Sequence, residues 1–195
     1  MKRLRHLLIA CFLFSSVANA GFEVGAQVNV LDFFILPSNN SGLTTSAQFG
    51  LGAIYGGYSL GDTVALRAFL SQDNTGKLSG SGTLYGQSFS ASGTFKVFTF
   101  GGEILVAPPM FPLYLKAGIG IGSLNASDFG SPFDQLSMSF AAHFGLGIAF
   151  NLMKALRFHL GLDGVWLQLN PGNSGISGVS GFPYFKTILG VTFKL

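Results

Sequence analysis

The stretch LSMSFAAHFGLGIAF, Leu136 to Phe150, decides the fold. Its even positions are Leu136, Met138, Phe140, Ala142, Phe144, Leu146, Ile148 and Phe150; its odd positions are Ser137, Ser139, Ala141, His143, Gly145, Gly147 and Ala149. Gln135 to Met153 is long enough and free enough of charge to cross a membrane as a helix. A helix, however, would mix the two sets around its circumference. Strict alternation is the period of a β-strand with one apolar face and one small or polar face.

The same period runs along the chain on both sides. Phe22, Val24, Ala26, Val28 and Val30 alternate with Glu23, Gly25, Gln27 and Asn29. Ala47, Phe49, Leu51, Ala53 and Tyr55 form the apolar set of a second strand, between Ser46, Gln48, Gly50 and Gly52. Val64, Leu66, Ala68 and Leu70 enclose Arg67. Phe98, Phe100, Ile104 and Val106 face away from Thr99, Gly101 and Glu103, and Leu113, Leu115, Ala117, Ile119 and Ile121 enclose Lys116, Gly118 and Gly120. Leu156, Phe158, Leu160, Leu162 and Trp166 alternate with Arg157, His159 and Asp163; Phe185, Leu189, Val191, Phe193 and Leu195 alternate with Lys186, Gly190 and Thr192. Eight strands result.

Their connections alternate in length. Ser59–Asp62, Ala107–Pro112 and Asn151–Lys154 are short, whereas Leu31–Leu43, Ser71–Ser88, Leu124–Gln135 and Leu169–Pro183 are long. An up-and-down transmembrane barrel has this asymmetry, with short turns on one side and long loops on the other. Pairing the eighth strand with the first leaves no open edge, the condition for sheet to exist in lipid. The expected fold is therefore all-β, an eight-stranded antiparallel up-and-down transmembrane β-barrel.

Composition agrees. Of 195 residues 48% are apolar and only 10% charged, against about a quarter charged in an ordinary soluble domain. Three of the 11 basic residues, Lys2, Arg3 and Arg5, lie at the very start, which leaves 8 basic against 8 acidic residues in the remainder. A basic groove for nucleic acid is excluded as a general feature. Residues 1–20 read as a cleavable secretory signal peptide: a basic start, an apolar run from Leu7 to Phe14, and Ala18-Asn19-Ala20 as the cleavage site, so that Ala20 is the last residue removed and Gly21 the first of the barrel domain 21–195. The single cysteine, Cys11, sits in the leader with too few apolar residues before it for a lipid attachment box. Without it the barrel carries no disulfide, thiol catalysis or cysteine-bound metal.

An eight-stranded barrel is just wide enough inside for side chains. The glycine-rich face suits that cramped lumen, and the Phe and Leu face belongs to lipid. Aromatic residues near the strand ends, Phe22, Phe150 and Phe193 at the short-turn end and Phe33, Phe34, Trp166 and Phe185 at the other, fit interfacial girdles. The last six residues, Gly190 to Leu195, resemble the terminal signal read by the Gram-negative outer-membrane assembly machinery, with Gly190 followed by apolar Phe193 and Leu195. They depart from it in ending on Leu195 where Phe is usual and in carrying Ile188 where a polar residue is expected. In strand number, length and loop asymmetry the chain resembles the small outer-membrane barrels grouped around the OmpA membrane domain, OmpX, the opacity proteins and OmpW. That resemblance implies a place in the bacterial outer membrane, with membrane lipids, lipopolysaccharide and the assembly machinery as partners, and surface loops open to a host or cell-surface ligand.

The lumen-facing charges are the sharpest candidates for a site. Glu23, Arg67, Glu103, Lys116 and Arg157 are expected to form a network, since unpaired charges in a narrow lumen of low polarity are costly. A turn centred between Pro109 and Met110 sets Glu103 opposite Lys116. A hairpin centred on Met153 sets His143 opposite Asp163, with His159 near them. Together with Ser139 that pair invites a hydrolase triad, but no strained nucleophile turn accompanies it, and the His-x-Ser pairing of small lipid A lipases is absent after both His143 and His159. Gly118, Gly120 and Gly122 recur every second residue within a strand and make no phosphate cradle. No metal-ligand spacing occurs, and no cofactor is implied. Asp32 to Pro37 places Phe33 and Phe34 as an apolar contact where the first loop leaves the membrane. The reading that follows is a non-enzymatic outer-membrane barrel with a plugged polar lumen and interaction loops. An OmpW-like conduit for small apolar molecules and a lipid A-modifying enzyme are the alternatives.

Overall fold

A computed structural model describes residues 21–35, 43–46, 50–74, 78–84, 87–108, 111–127, 137–170 and 180–195. These form ten strands: β1 Gly21–Ile35, β2 Leu43–Ser46, β3 Gly50–Leu60, β4 Val64–Asn74, β5 Leu78–Leu84, β6 Gln87–Val106, β7 Leu113–Ser127, β8 Ser137–Met153, β9 Leu156–Asn170 and β10 Ser180–Lys194. Eight of them, β1, β3, β4, β6, β7, β8, β9 and β10, pair each with the next, and β10 returns to β1 from Glu23↔Lys194 to Phe34↔Tyr184. The sheet is closed and antiparallel throughout. β2 and β5 are short offshoots that pair with the far ends of β1 and β6.

The connections sort by end. At one end β3 and β4 are joined by Gly61, Asp62 and Thr63, where Gly61 takes φ 69°, a left-handed conformation that costs glycine little. Lys154 and Ala155 join β8 to β9 at the same end, and the last residue is tied down there by the Leu195 amide donating to the Phe22 carbonyl at 2.8 Å. At the opposite end the strands run on. A strand of 9 to 11 residues suffices to cross a bilayer, yet β6 has 20 residues and β1 has 15.

Those extensions correct three expected loop boundaries. Asp32 to Ile35 is strand, paired with Lys186 to Tyr184 of β10 on one side and with β2 on the other. Phe33 and Phe34 therefore continue the sheet rather than begin a loop; their side chains lie outside the described residues. β4 runs to Asn74, so Asp73 belongs to the barrel. Much of the expected Ser71–Ser88 loop is a hairpin in which Leu78–Leu84 pairs with Gln87–Gly93.

The two faces separate apolar from polar. Outward positions such as Leu66, Leu70, Phe100, Ile104, Leu115, Ile119, Phe144, Leu146, Leu160, Trp166 and Phe193 are exposed, while Arg67, Ser71, Asp73, Thr99, Glu103, Lys116, His159, Asp163, Lys186 and Thr192 are buried within the barrel. No helix among the described residues is long and apolar enough to cross a membrane; the strands provide the belt.

Strand β3 departs from its expected phase. Gln27 pairs with Ala53 but Val28 pairs with Leu51, which leaves Gly52 as the unpaired residue of a bulge. The extra residue reverses the alternation beyond it. Ala53 and Tyr55, expected on the lipid side, are buried in the lumen, and Ile54 and Tyr58 face out. Ala47 and Phe49 of that expected strand lie outside the described residues.

Candidate functional site: the charged lumen

Glycines make room in the lumen. Several large inward side chains have an inward glycine directly across from them on one side: Tyr55 has Gly25, Arg67 Gly57, Glu103 Gly118, Lys116 and Asp163 Gly145, Tyr114 Gly147, and His159 Gly190. A Cβ at Gly190 would strike the His159 ring, and one at Gly161 the Tyr114 hydroxyl. On the other side of some of these residues a long polar partner does stand directly across: Glu103 from Arg67, and Lys186 from Asp163.

Two expected pairings are displaced by two residues. Glu103 is opposite Gly118, not Lys116. His143 is opposite Val165, and Asp163 is opposite Gly145. A shift of two preserves the face, so all four side chains still point inward.

The charges meet both directly across, as Arg67 and Glu103 do, and diagonally. Arg67 Nε donates to Glu23 Oε1, and its Nη1 reaches Glu103 Oε1 at 3.4 Å. Lys116 Nζ lies 3.8 Å from Glu103 Oε2 and 2.7 Å from Asp163 Oδ2, and also donates to Gln27 Oε1 at 3.3 Å. Glu23, Arg67, Glu103, Lys116 and Asp163 thus form a chain of alternating sign that crosses the lumen from β1 through β4, β6 and β7 to β9. The Arg67 guanidinium sits over the Tyr55 ring at 4.3 Å, a cation–π contact that strengthens where water is excluded. The Tyr55 hydroxyl donates to the Val191 carbonyl at 3.1 Å and lies 2.7 Å from Thr192 Oγ1.

A second cluster lies toward the far end. The Asp73 carboxylate receives Lys186 Nζ at 2.9 Å on each oxygen, Asn29 Nδ2 at 2.6 Å, Ser71 Oγ at 3.2 Å and the Tyr184 hydroxyl. Four donors on one carboxylate are what a charge needs when water is taken away. Asp73 escaped the sequence reading because Ser71 seemed to begin a loop; yet Ala65, Arg67, Phe69, Ser71 and Asp73 form one unbroken inward series. Tyr55, Tyr184 and Asn29 escaped it too, Tyr55 because its strand was phased without the bulge.

The expected site residues thus separate into three groups. Glu23, Arg67, Glu103, Lys116 and Asp163 are brought together. Arg157 is not: it sits at the short-turn mouth, where Nε donates to Asn151 Oδ1 at 2.9 Å and Nη2 to the Asp62 carbonyl at 3.3 Å. Nor is His143 a partner of Asp163. Its ring packs edge-on against Phe69 with centroids 4.3 Å apart, and its Nε2 is buried with no hydrogen-bond partner among the described residues. Asp163 is held by Lys116, an arrangement that keeps its carboxylate from orienting an imidazole. The Ser139 side chain and Ala20 lie outside the described residues, while Gly21 opens β1. At the other terminus Gly190 lies under His159, and Phe193 and Leu195 are exposed. Among the described residues no group of three or more histidine, cysteine or acidic side chains converges as a metal site.

A closed barrel with an apolar outer belt and a charged interior has its natural place in a membrane, and the sequence matches a family of that description: the model of the outer membrane protein beta-barrel domain covers residues 7–181. The chain belongs to that family. Its barrel therefore stands in the bacterial outer membrane, with the short turns on the periplasmic side and the extended strands outside. No protein of curated function matches the sequence. Among solved structures, Neisserial surface protein A is 14% identical with a TM-score of 0.53, covering 91% of this chain and 99% of its own. Ail, the attachment invasion locus protein of Yersinia pestis, is 14% identical with a TM-score of 0.49, covering 90% of this chain and 99% of its own. OprG from Pseudomonas aeruginosa is 12% identical with a TM-score of 0.44, covering 90% and 96%. The likeness to Neisserial surface protein A is one of fold.

Proposed function

We propose that this outer-membrane barrel is non-enzymatic and non-conducting, with its interior given over to holding the barrel closed and its external strands and loops given over to contacts at the cell surface. The alternating chain Glu23, Arg67, Glu103, Lys116 and Asp163 carries the reading. It draws from five of the eight barrel strands, and its buried ion pairs reach across the narrow interior of an eight-stranded barrel, which supports a closed lumen. Lipopolysaccharide of the outer leaflet, the assembly machinery acting on Gly190 to Leu195, and a surface ligand at the β1–β2 end near Phe33 and Phe34 are the partners that this reading implies.

Liposome swelling tests it. Vesicles reconstituted with the folded protein should swell no faster in arabinose or glycine than empty vesicles. Swelling that rises with protein content would refute the closed lumen, and an altered lipid A mass profile in cells expressing the protein would refute the non-enzymatic part.

A further inference from the structure

Among the described residues four cations are buried inside the barrel, and three have carboxylate partners: Arg67, Lys116 and Lys186. Arg157 is the exception. It is buried to 6% exposure, yet among the described residues its hydrogen bonds go to two neutral acceptors, the Asn151 side chain and the Asp62 carbonyl. The nearby Asp62 carboxylate is turned the other way, onto Lys194 at 2.8 Å. Glu23 and Asp62 attract Arg157 through space, but neither carboxylate is hydrogen-bonded to the guanidinium, which keeps unused donors.

That guanidinium lines a cavity of about 290 Å³ at the periplasmic mouth. Ala107, Pro108, Phe111 and Pro112 of the β6–β7 turn form one side, and Ala149, Phe150 and Asn151 at the end of β8 form the other. The backbone fixes this shape, because the Ala149 amide donates to the Pro112 carbonyl at 2.6 Å and the Ala107 amide to the Thr63 carbonyl at 2.7 Å. A concavity open to water, lined by polar as well as apolar surface around one cation, describes a site for a small anion.

We propose that this periplasmic pocket binds a carboxylate, with Arg157 as the anion-binding residue and the proline and phenylalanine walls covering a short apolar group attached to it. A single guanidinium matches one negative charge, and beyond the bonds to Asn151 and Asp62 it keeps N–H donors for a carboxylate. A phosphate dianion would remain half neutralised there. The carboxylate comes either from a free small acid or from the chain end of a periplasmic peptide, and both share the chemistry that Arg157 reads.

The test uses the folded full-length barrel in detergent micelles, with the Arg157 Nε–H and Asn151 side-chain amide signals followed by nuclear magnetic resonance. Sodium acetate and N-acetyl-alanyl-alanine are the probes, and the C-terminal amide of the same dipeptide is the control. Both acids should move both signals saturably, and the amide should not. A dipeptide affinity tenfold or more above that of acetate assigns the pocket to peptide ends; equal affinities assign it to free acids. Arg157→Gln should weaken acid binding at least tenfold, followed through the Asn151 signal, and Arg157→Lys should retain part of it; intact β-rich circular dichroism shows that each variant is folded. Equal shifts with acid and amide, no saturable shift with either acid, or undiminished binding by a folded Arg157→Gln protein would overturn the proposal.

Discussion

Asp163 lies directly across the β8–β9 pairing from Gly145, and a Cβ added at Gly145 would collide with the Asp163 carboxylate while coming within 2.7 Å of Lys116 Cε. The glycine is the space in which the Lys116–Asp163 ion pair exists. Gly145→Val should therefore destabilise the barrel by about 1 to 3 kcal/mol, the usual cost of overfilling a packed interior. Gly102 faces outward with its nearest neighbour 3.7 Å from an added Cβ, so Gly102→Ala should change stability by less than about 0.5 kcal/mol. Guanidinium unfolding in lipid vesicles, read by circular dichroism, compares the two.

The Asp73–Lys186 pair makes a second prediction through its burial. Removing one partner strands a charge, and Lys186→Met should cost about 3 to 5 kcal/mol. Removing both, in Asp73→Asn with Lys186→Met, should cost less than Lys186→Met alone. The same unfolding measurement checks this, and a double variant whose loss equals or exceeds the sum of the single losses would contradict the pairing.

At the periplasmic rim the hydrogen bond and charge of Lys194 hold the Asp62 carboxyl below its ordinary value. A depressed folded-state pKa means that the contribution is present above the unfolded value, about 3.9, and is lost as pH falls through the lower folded value. Asp62 is 63% exposed, so the contribution is under about 1 kcal/mol. The stability difference between the wild type and Asp62→Asn should be constant at neutral pH and should close only below the normal carboxylate range.

How much of this was legible in the sequence follows from what each feature depends on. Which face a residue takes depends on alternation alone, and that is local; Leu136 to Phe150 showed it at once. Register depends on what sits across the gap, and a symmetric turn is a poor guide to it. Glu103 and Lys116 slip by two, so that Glu103 stands across from Gly118. Tyr55 was misplaced because a bulge at Gly52 reverses the alternation without leaving a mark stronger than one more glycine. Asp73 was missed because strands that run past the membrane lose their apolar outer face, and with it the signal by which they were read.

The single tryptophan offers a check on the faces. Trp166 is exposed on the outward side of β9, so its fluorescence in vesicles should be blue-shifted and strongly quenched by lipids brominated on their acyl chains. Quenching by aqueous iodide instead would place the aromatic face inside.

Single-molecule conductance in planar bilayers reaches the central claim most directly, because the buried ion pairs of Glu23, Arg67, Glu103, Lys116 and Asp163 either close the lumen or do not. The folded wild-type barrel should show no steps above the bare bilayer, and replacing Arg67 and Lys116 together by alanine should produce small, salt-dependent openings. Stable, reproducible channels in the wild type would contradict the account.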